Sequence, residues 1–146
     1  KELLKIDGEM KEVNNYKPVI KNGVLSIMVA HIAVENNPKY NTDGLPSTCS
    51  RAIVTDLLKN ELKFRGLVIT DAMNMGGVQA VSNSGLKAVA AGCDQLLMPV
   101  EEEQDIFDIL TELNANEDFK YQVYGSVKKI IRMKICLELT LKTNIV

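Results

Sequence analysis

Three short apolar runs punctuate the chain, at residues 24–31, 67–69 and 95–99. Each is too short for a helix, rich in Val, Ile, Leu or Met, and bounded by turn residues. Such runs predict strands buried on both faces, as in a parallel sheet. The segments between them carry a different period. Residues 51–62 place Ile53, Val54, Leu57, Leu58 and Leu62 on one stripe, with Arg51, Asp56 and Lys59 outside. That is an amphipathic helix, with Ser47 or Ser50 as its N-cap. Met10, Val13, Tyr16, Val19 and Ile20 also recur at helical spacing, so residues 7–22 read as helical. Pro18 predicts a kink or a new first turn within them, and Asn22-Gly23 the end. Residues 86–91 form a short helix stopped by Gly92. Glu101, Glu102 and Glu103 open another, running to Leu110, where carboxylates favour the positive end of the helix dipole. After an Asn114-Ala115-Asn116 linker, residues 117–139 make the last helix, with Val123, Val127, Ile130, Ile131, Ile135 and Leu139 facing inward. Strands alternating with helices predict a parallel sheet with helices outside.

The carboxyl ends of parallel strands are where such folds keep their chemistry. The run at 67–69 stops on Thr70 and Asp71. Asp71 has two readings there: the N-cap of the next helix, or a catalytic carboxylate. His31, the only histidine, ends the first strand. It reads either as held by a backbone hydrogen bond or as part of a site. Residues 33–49 are rich in Asn, Pro, Gly and Asp and predict a long loop on that same face.

The 146 residues are 46% hydrophobic and 25% charged with a net charge of −2, which suits one globular unit with no basic surface for nucleic acid. No apolar run approaches the roughly 18 residues of a membrane span. Cys49, Cys93 and Cys136 are scattered without a CxxC, which argues against a disulfide framework and against zinc; all three read as small core residues. Gly76-Gly77 lacks both the GxGxxG context and a P-loop lysine, so phosphate is disfavoured.

Gly66-Leu67-Val68-Ile69-Thr70-Asp71-Ala72-Met73-Asn74-Met75 resembles the nucleophile segment of the family 3 glycoside hydrolases. That segment has a glycine, a hydrophobic strand, Ser or Thr, the nucleophilic Asp, and often Met two and four residues later. Ala72 stands where many relatives carry a second Asp. Ala90-Ala91-Gly92-Cys93-Asp94-Gln95-Leu96-Leu97-Met98-Pro99 resembles the family's next block, Ala-Gly-x-Asp, a hydrophobic strand and Pro. The strand ending in Met28-Val29-Ala30-His31, the spacing of Asp43, Pro46 and Ser50, and Val127-Lys128-Lys129-Ile130-Ile131-Arg132-Met133-Lys134 are similar to further family elements.

The resemblance implies an α/β fold that is part of a (β/α)8 TIM barrel, about the last three βα units plus a preceding helix. An eight-stranded barrel needs about 250 residues. Residues 1–146 would be a single unit, the C-terminal half of the catalytic barrel, with the upstream half outside the chain. Asp71 would be the nucleophile of a retaining glycosidase, and Met28, His31 and Met75 would contact the sugar. The branch implied cleaves terminal β-N-acetylglucosamine; a β-glucosidase-type member is the alternative within the family. The expected partner is a carbohydrate substrate, with no metal, no organic cofactor, no nucleic acid and no membrane. The acid/base group would lie outside these residues, so the chain alone is expected to be inactive. It is expected to form a homo-dimer or to associate with the missing half-barrel. The resemblance leans towards a bacterial protein of the cytoplasm or cell envelope. Outside the family, the residues suit a non-catalytic α/β binding module with Asp71 as a helix cap.

Overall fold

The structure, a computed structural model, describes residues 3–139. It is a mixed α/β arrangement built on parallel pairing. In one sheet β1 (Leu4–Asp7) pairs with β3 (Ile32–Glu35), with Leu4 opposite Ile32 and Asp7 opposite Glu35. In the other, β4 (Leu67–Ala72) lies between β2 (Ser26–Val29) and β5 (Gln95–Leu97). Met28 is opposite Ile69 and Val29 opposite Thr70, while Ile69 is also opposite Gln95.

The described residues thus carry five strands where the apolar runs predict three. The first predicted strand, 24–31, shortens to Ser26–Val29, and Ile32–Glu35 just beyond it forms β3 in a separate sheet, at the start of the predicted loop. The sequence Ile32-Ala33-Val34 is apolar enough for a buried strand, and Ala33 and Val34 are fully buried. β1 is short and mostly exposed, so its pattern carries no burial signal. Residues 7–22 divide into a 3₁₀ turn, Lys11–Asn15, and α1 (Tyr16–Lys21). The break falls where Pro18 needs it, leaving Pro18 in the first turn of α1, where its missing N–H costs nothing.

Residues Ala52–Glu61 form the expected helix, but wound with i→i+5 bonds as a π-helix; the Leu62 amide donates to the Leu57 carbonyl at 2.8 Å. Its buried set is Val54, Leu57 and Leu58, with Ile53 and Leu62 half-buried. Neither Ser47 nor Ser50 caps it by side chain. Instead the Ser50 carbonyl accepts from the Ile53 and Val54 amides. On its other face Thr55 Oγ1 donates to the Ala91 carbonyl at 2.7 Å, and Lys59 Nζ donates to that of Gly92. These carbonyls end α3 (Ser84–Ala91), whose C-cap Gly92 takes φ +115°. The short helix α2 (Gly76–Gln79) precedes α3.

The last two helices are α4 (Glu102–Ala115) and α5 (Glu117–Cys136). The linker reduces to Asn116, whose side chain caps α5 by accepting from the Phe119 amide at 3.1 Å. The inward stripe expected on α5 is not the buried one: Phe119 and Ser126 are buried, whereas Val127, Ile131 and Ile135 are exposed. Polar docking sets this rotation. Ser126 and Lys129 both bond Asp94, and so present their own face to the sheet. Leu139 lies beyond the helix end. β5 is likewise only half-buried, and Cys136 is exposed rather than in the core.

The core sits between β2–β4 and the helices, where Ile27, Val29 and Val68 meet Val54, Leu58, Phe64, Val78, Ala88 and Ala91. Strand alternation fixes the rest. Ile27, Val29, Val68 and Thr70 face the helices, so Met28, Ile69 and Asp71 share the opposite face of the sheet.

Candidate active site

Asp71 is the last polar residue of β4, on the sheet face away from the helices, and its side chain is half-buried. Its Oδ1 accepts from the Ala72 amide at 2.8 Å. It caps no helix: α2 starts at Gly76, with Met75 in the N-cap position. The cap reading is therefore corrected. The chain makes a turn between the strand and α2 instead, which separates Asp71 from any helix terminus.

That turn is tied down at every point. The Met73 amide donates to the Leu97 carbonyl at 2.8 Å, and the Leu97 amide donates to Thr70 Oγ1 at 2.9 Å. The Ala72 carbonyl accepts twice, from the Met75 amide and from His31 Nε2, each at 3.0 Å. Met73 is buried in the core, while Met75 is 47% exposed.

His31 is buried between two partners. Nε2 meets the Ala72 carbonyl, and Nδ1 lies 2.8 Å from Thr48 Oγ1. Thr48 is fully buried in the turn Ser47–Cys49. Gly77 of α2 packs against the histidine; a Cβ there would sit 3.2 Å from His31 Cβ. Met28, by contrast, is 53% exposed on the same sheet face as Asp71. The structure therefore brings Asp71, His31 and Met75 around one turn and puts Met28 on the adjoining strand. The sequence reasoning missed Thr48; its only signal is a hydroxyl in the loop that follows a strand-end histidine.

The loop from Asn36 to Pro46 is anchored rather than free. The Val34 amide donates to Thr42 Oγ1 at 2.9 Å, and Ser47 Oγ donates to the Ile32 carbonyl at 2.6 Å. Asp43 is exposed with φ +52° and accepts from Asn41 Nδ2 at 3.1 Å; Pro46 and Ser50 are buried. Further along, Lys39 and Tyr40 both bond Glu61 at the end of the π-helix. No cluster of His, Cys, Asp or Glu that could hold a metal occurs among the described residues. Likewise, none of their helices is long and apolar enough to cross a membrane.

Residues 7–133 match the Glycosyl hydrolase family 3 N terminal domain, and the chain belongs to that family. Among curated relatives, it is 28% identical over 142 residues to a beta-N-acetylglucosaminidase/beta-glucosidase of Cellulomonas fimi, covering 89% of this chain and 25% of that protein. It is 31% identical over 127 residues to beta-hexosaminidase A of Pseudoalteromonas piscicida, covering 74% of this chain and 21% of that protein. The chain thus spans about a quarter of the length of these relatives. Among solved structures, a glycoside hydrolase family 3 beta-N-acetylglucosaminidase of Paenibacillus sp. str. FPU-7 superposes with a TM-score of 0.85 at 19% identity, over 99% of this chain and 29% of that one. That likeness establishes the shared fold.

Proposed function

We propose that this chain is part of the catalytic domain of a retaining glycoside hydrolase that removes terminal β-N-acetylglucosamine, with Asp71 as nucleophile. The observation that carries the reading is the state of the Asp71 carboxylate at the carboxyl end of β4. Oδ1 is steadied by the Ala72 amide, and Oδ2 has no hydrogen bond among the described residues. One oxygen is held and one is left to attack. In the proposed step Oδ2 bonds to the anomeric carbon as the bond to the leaving oxygen breaks, and an acid gives that oxygen its proton. Water then attacks the same carbon, loses a proton to the former acid, and frees Asp71. Met28 and Met75 offer apolar contact to the sugar ring, and the buried imidazole of His31 bounds the site.

A retaining mechanism needs a second carboxyl-type group about 5 to 5.5 Å away. In this reading it comes from outside residues 1–146, so the chain alone is silent. The architecture is read as the last βα units of a (β/α)8 barrel, a single unit. The exposed face carrying Met28 and the exposed α5 stripe are seats for the remainder of the barrel. The length of the relatives supplies the argument for that occupant. Light scattering on the isolated chain should show self-association through these surfaces; a monodisperse monomer counts against it. The Cellulomonas relative also bears the name beta-glucosidase. Aryl glucoside is therefore the second substrate to assay.

The central test uses the complete catalytic domain. Asp71→Asn should lower cleavage of an aryl N-acetylglucosaminide by several orders of magnitude and leave the fold intact. A 2-fluoro glycoside should label Asp71. Label on another carboxylate, or full activity in the variant, overturns the assignment.

A further inference from the structure

We infer that His31 and Thr48 form a brace that positions Asp71, with His31 acting through the Ala72 carbonyl rather than on the sugar. The inference rests on the reading of Asp71 as nucleophile. It starts from what the atoms near the imidazole can do. A backbone carbonyl only accepts, so the 3.0 Å contact to Ala72 requires the proton on Nε2. Nδ1 then has two options toward Thr48 Oγ1 at 2.8 Å. In the neutral ring, Nδ1 accepts the threonine proton. In the charged ring, Nδ1 donates, and Thr48 turns its own proton to the Ala30 carbonyl at 3.2 Å or the Val29 carbonyl at 3.3 Å. Nε2 keeps its proton in both states. The imidazole therefore has no free lone pair at the turn and cannot take a proton from substrate or water there.

What the brace holds follows from the backbone of Ala72. Its N–H holds Asp71 Oδ1, and its C=O is held by His31 and by the Met75 amide. The two groups lie in adjoining peptide planes on either side of the Ala72 α-carbon, so this one residue links the ring to the carboxylate and to Met75. Thr48, in turn, fastens the ring to the turn Ser47–Cys49, and in the charged ring its own proton reaches one of the Ala30 and Val29 carbonyls at the end of β2. The end of β2, the Ser47–Cys49 turn and the end of β4 thus meet at one residue, Ala72, beside the Asp71 side chain. Gly77 lies close to the base of the histidine; a Cβ there would sit 3.2 Å from His31 Cβ and 3.4 Å from its carbonyl oxygen. A nucleophile needs such fixing, since a misplacement of about 1 Å can cost on the order of 10²-fold in rate.

The test compares His31→Phe, His31→Gln and Thr48→Val in the complete catalytic domain, with Asp71→Asn as control. The readouts are kcat and KM on an aryl N-acetylglucosaminide, and the rate of 2-fluoro glycoside labelling. A positioning role predicts that His31→Phe lowers kcat by about 10- to 100-fold with KM within about twofold. Labelling should slow in parallel. His31→Gln, which can still donate to Ala72, should recover part of the loss. Thr48→Val keeps the buried volume and removes only the hydroxyl, so it decides the matter if His31→Phe fails to fold; it should lower kcat about 3- to 10-fold, a smaller share of the same misplacement. Unchanged kcat in Thr48→Val or His31→Phe overturns the brace. So does a loss confined to KM, which would make His31 a sugar contact. Full activity in Asp71→Asn instead overturns the reading beneath it.

Discussion

Removing the Asp94 carboxylate should unfold this chain more readily than any other single change to a charged side chain. Asp94 lies in the turn before β5, and its side chain is 1% exposed. Oδ2 accepts from the Val68 amide at 2.8 Å and from Lys129 Nζ at 3.0 Å. Oδ1 accepts from Ser126 Oγ at 2.6 Å and faces Lys59 Nζ at 3.6 Å. The Asp94 amide also donates to the Val68 carbonyl at 2.7 Å. One carboxylate therefore joins β4, α5 and the π-helix. In Asp94→Ala the Val68 amide, in a residue with no exposure, loses its acceptor, at a cost of about 1–3 kcal/mol. Lys129 is 30% exposed and can turn to water, so its loss is about 1 kcal/mol. Lys59 is 17% exposed and adds about 1 kcal/mol. The sum, about 3–5 kcal/mol, matches the usual cost of breaking a buried pair and is a large part of a typical stability of about 5–15 kcal/mol.

Asp94→Asn keeps an acceptor for Val68 and should cost about 1–2 kcal/mol. Lys59 provides the contrast. Burial pulls its ammonium below the ordinary lysine range, and the attraction of Asp94 does not restore it. Its charge is therefore a net burden in the folded state, and Lys59→Met should cost less than about 1 kcal/mol. Urea melts read all three, with stability taken from the midpoint at constant slope. An Asp94→Ala midpoint within about 1 kcal/mol of the parent, or Asn as costly as Ala, refutes the reasoning.

Gly66→Ala should destabilise by about 1–3 kcal/mol or more, because its Cβ would lie 2.3 Å from the Leu25 carbonyl, the acceptor for the Leu67 amide at 2.9 Å; a melt unchanged from the parent would refute it. Lys39 first, then Tyr40, hold the Glu61 carboxyl below the usual carboxylate range by hydrogen bonding. Its contribution is present above the unfolded value of about 4.3 and lost as pH falls through the lower folded value. Glu61→Gln should therefore flatten the acid limb of stability below about pH 5, and an unaltered limb counts against it. Burial pushes the Cys49 thiol up to about 11 and the Cys93 thiol up to about 12, while Cys136 is exposed. A thiol reagent at neutral pH should modify Cys136 alone in the native chain, and rapid modification of all three thiols would refute the burial.

What the sequence made legible was the part written in apolar runs. β4, the helix before it and the α3 stop at Gly92 follow from local period and turn chemistry, whereas α2 was not visible. β1 and β3 were not legible because they pair with each other across 28 residues of offset, Leu4 with Ile32, and neither has a strand's burial pattern throughout. The face of α5 was misjudged for a related reason. Its apolar stripe is real, but the rotation is set by Ser126 and Lys129 bonding a carboxylate that belongs to another element. At the site, Asp71 was visible from its strand-tip position and its motif. Its not capping a helix was invisible, since that depends on where the turn to α2 ends. Thr48 was hidden altogether, because its partner His31 is 17 residues away and only the fold brings them within 2.8 Å.

β4 joins two tasks by being pinned differently at its two ends. At its start, the Val68 amide and carbonyl are both taken by Asp94, and the partners beyond Asp94 are helices. At its end, the Ala72 amide and carbonyl are taken by Asp71 and by His31 with Met75, and the partners beyond are loops. Helices supply the first anchor with cations whose main effect is on the stability of the packed layer. Loops supply the second with a threonine and a histidine whose effect is on the angle of one carboxylate. Val68 and Asp71 are three residues apart, about 10 Å along an extended strand. At such a distance, changes without shared partners contribute nearly independently. The loops around the site can therefore vary while the anchor that keeps the strand in register stays untouched.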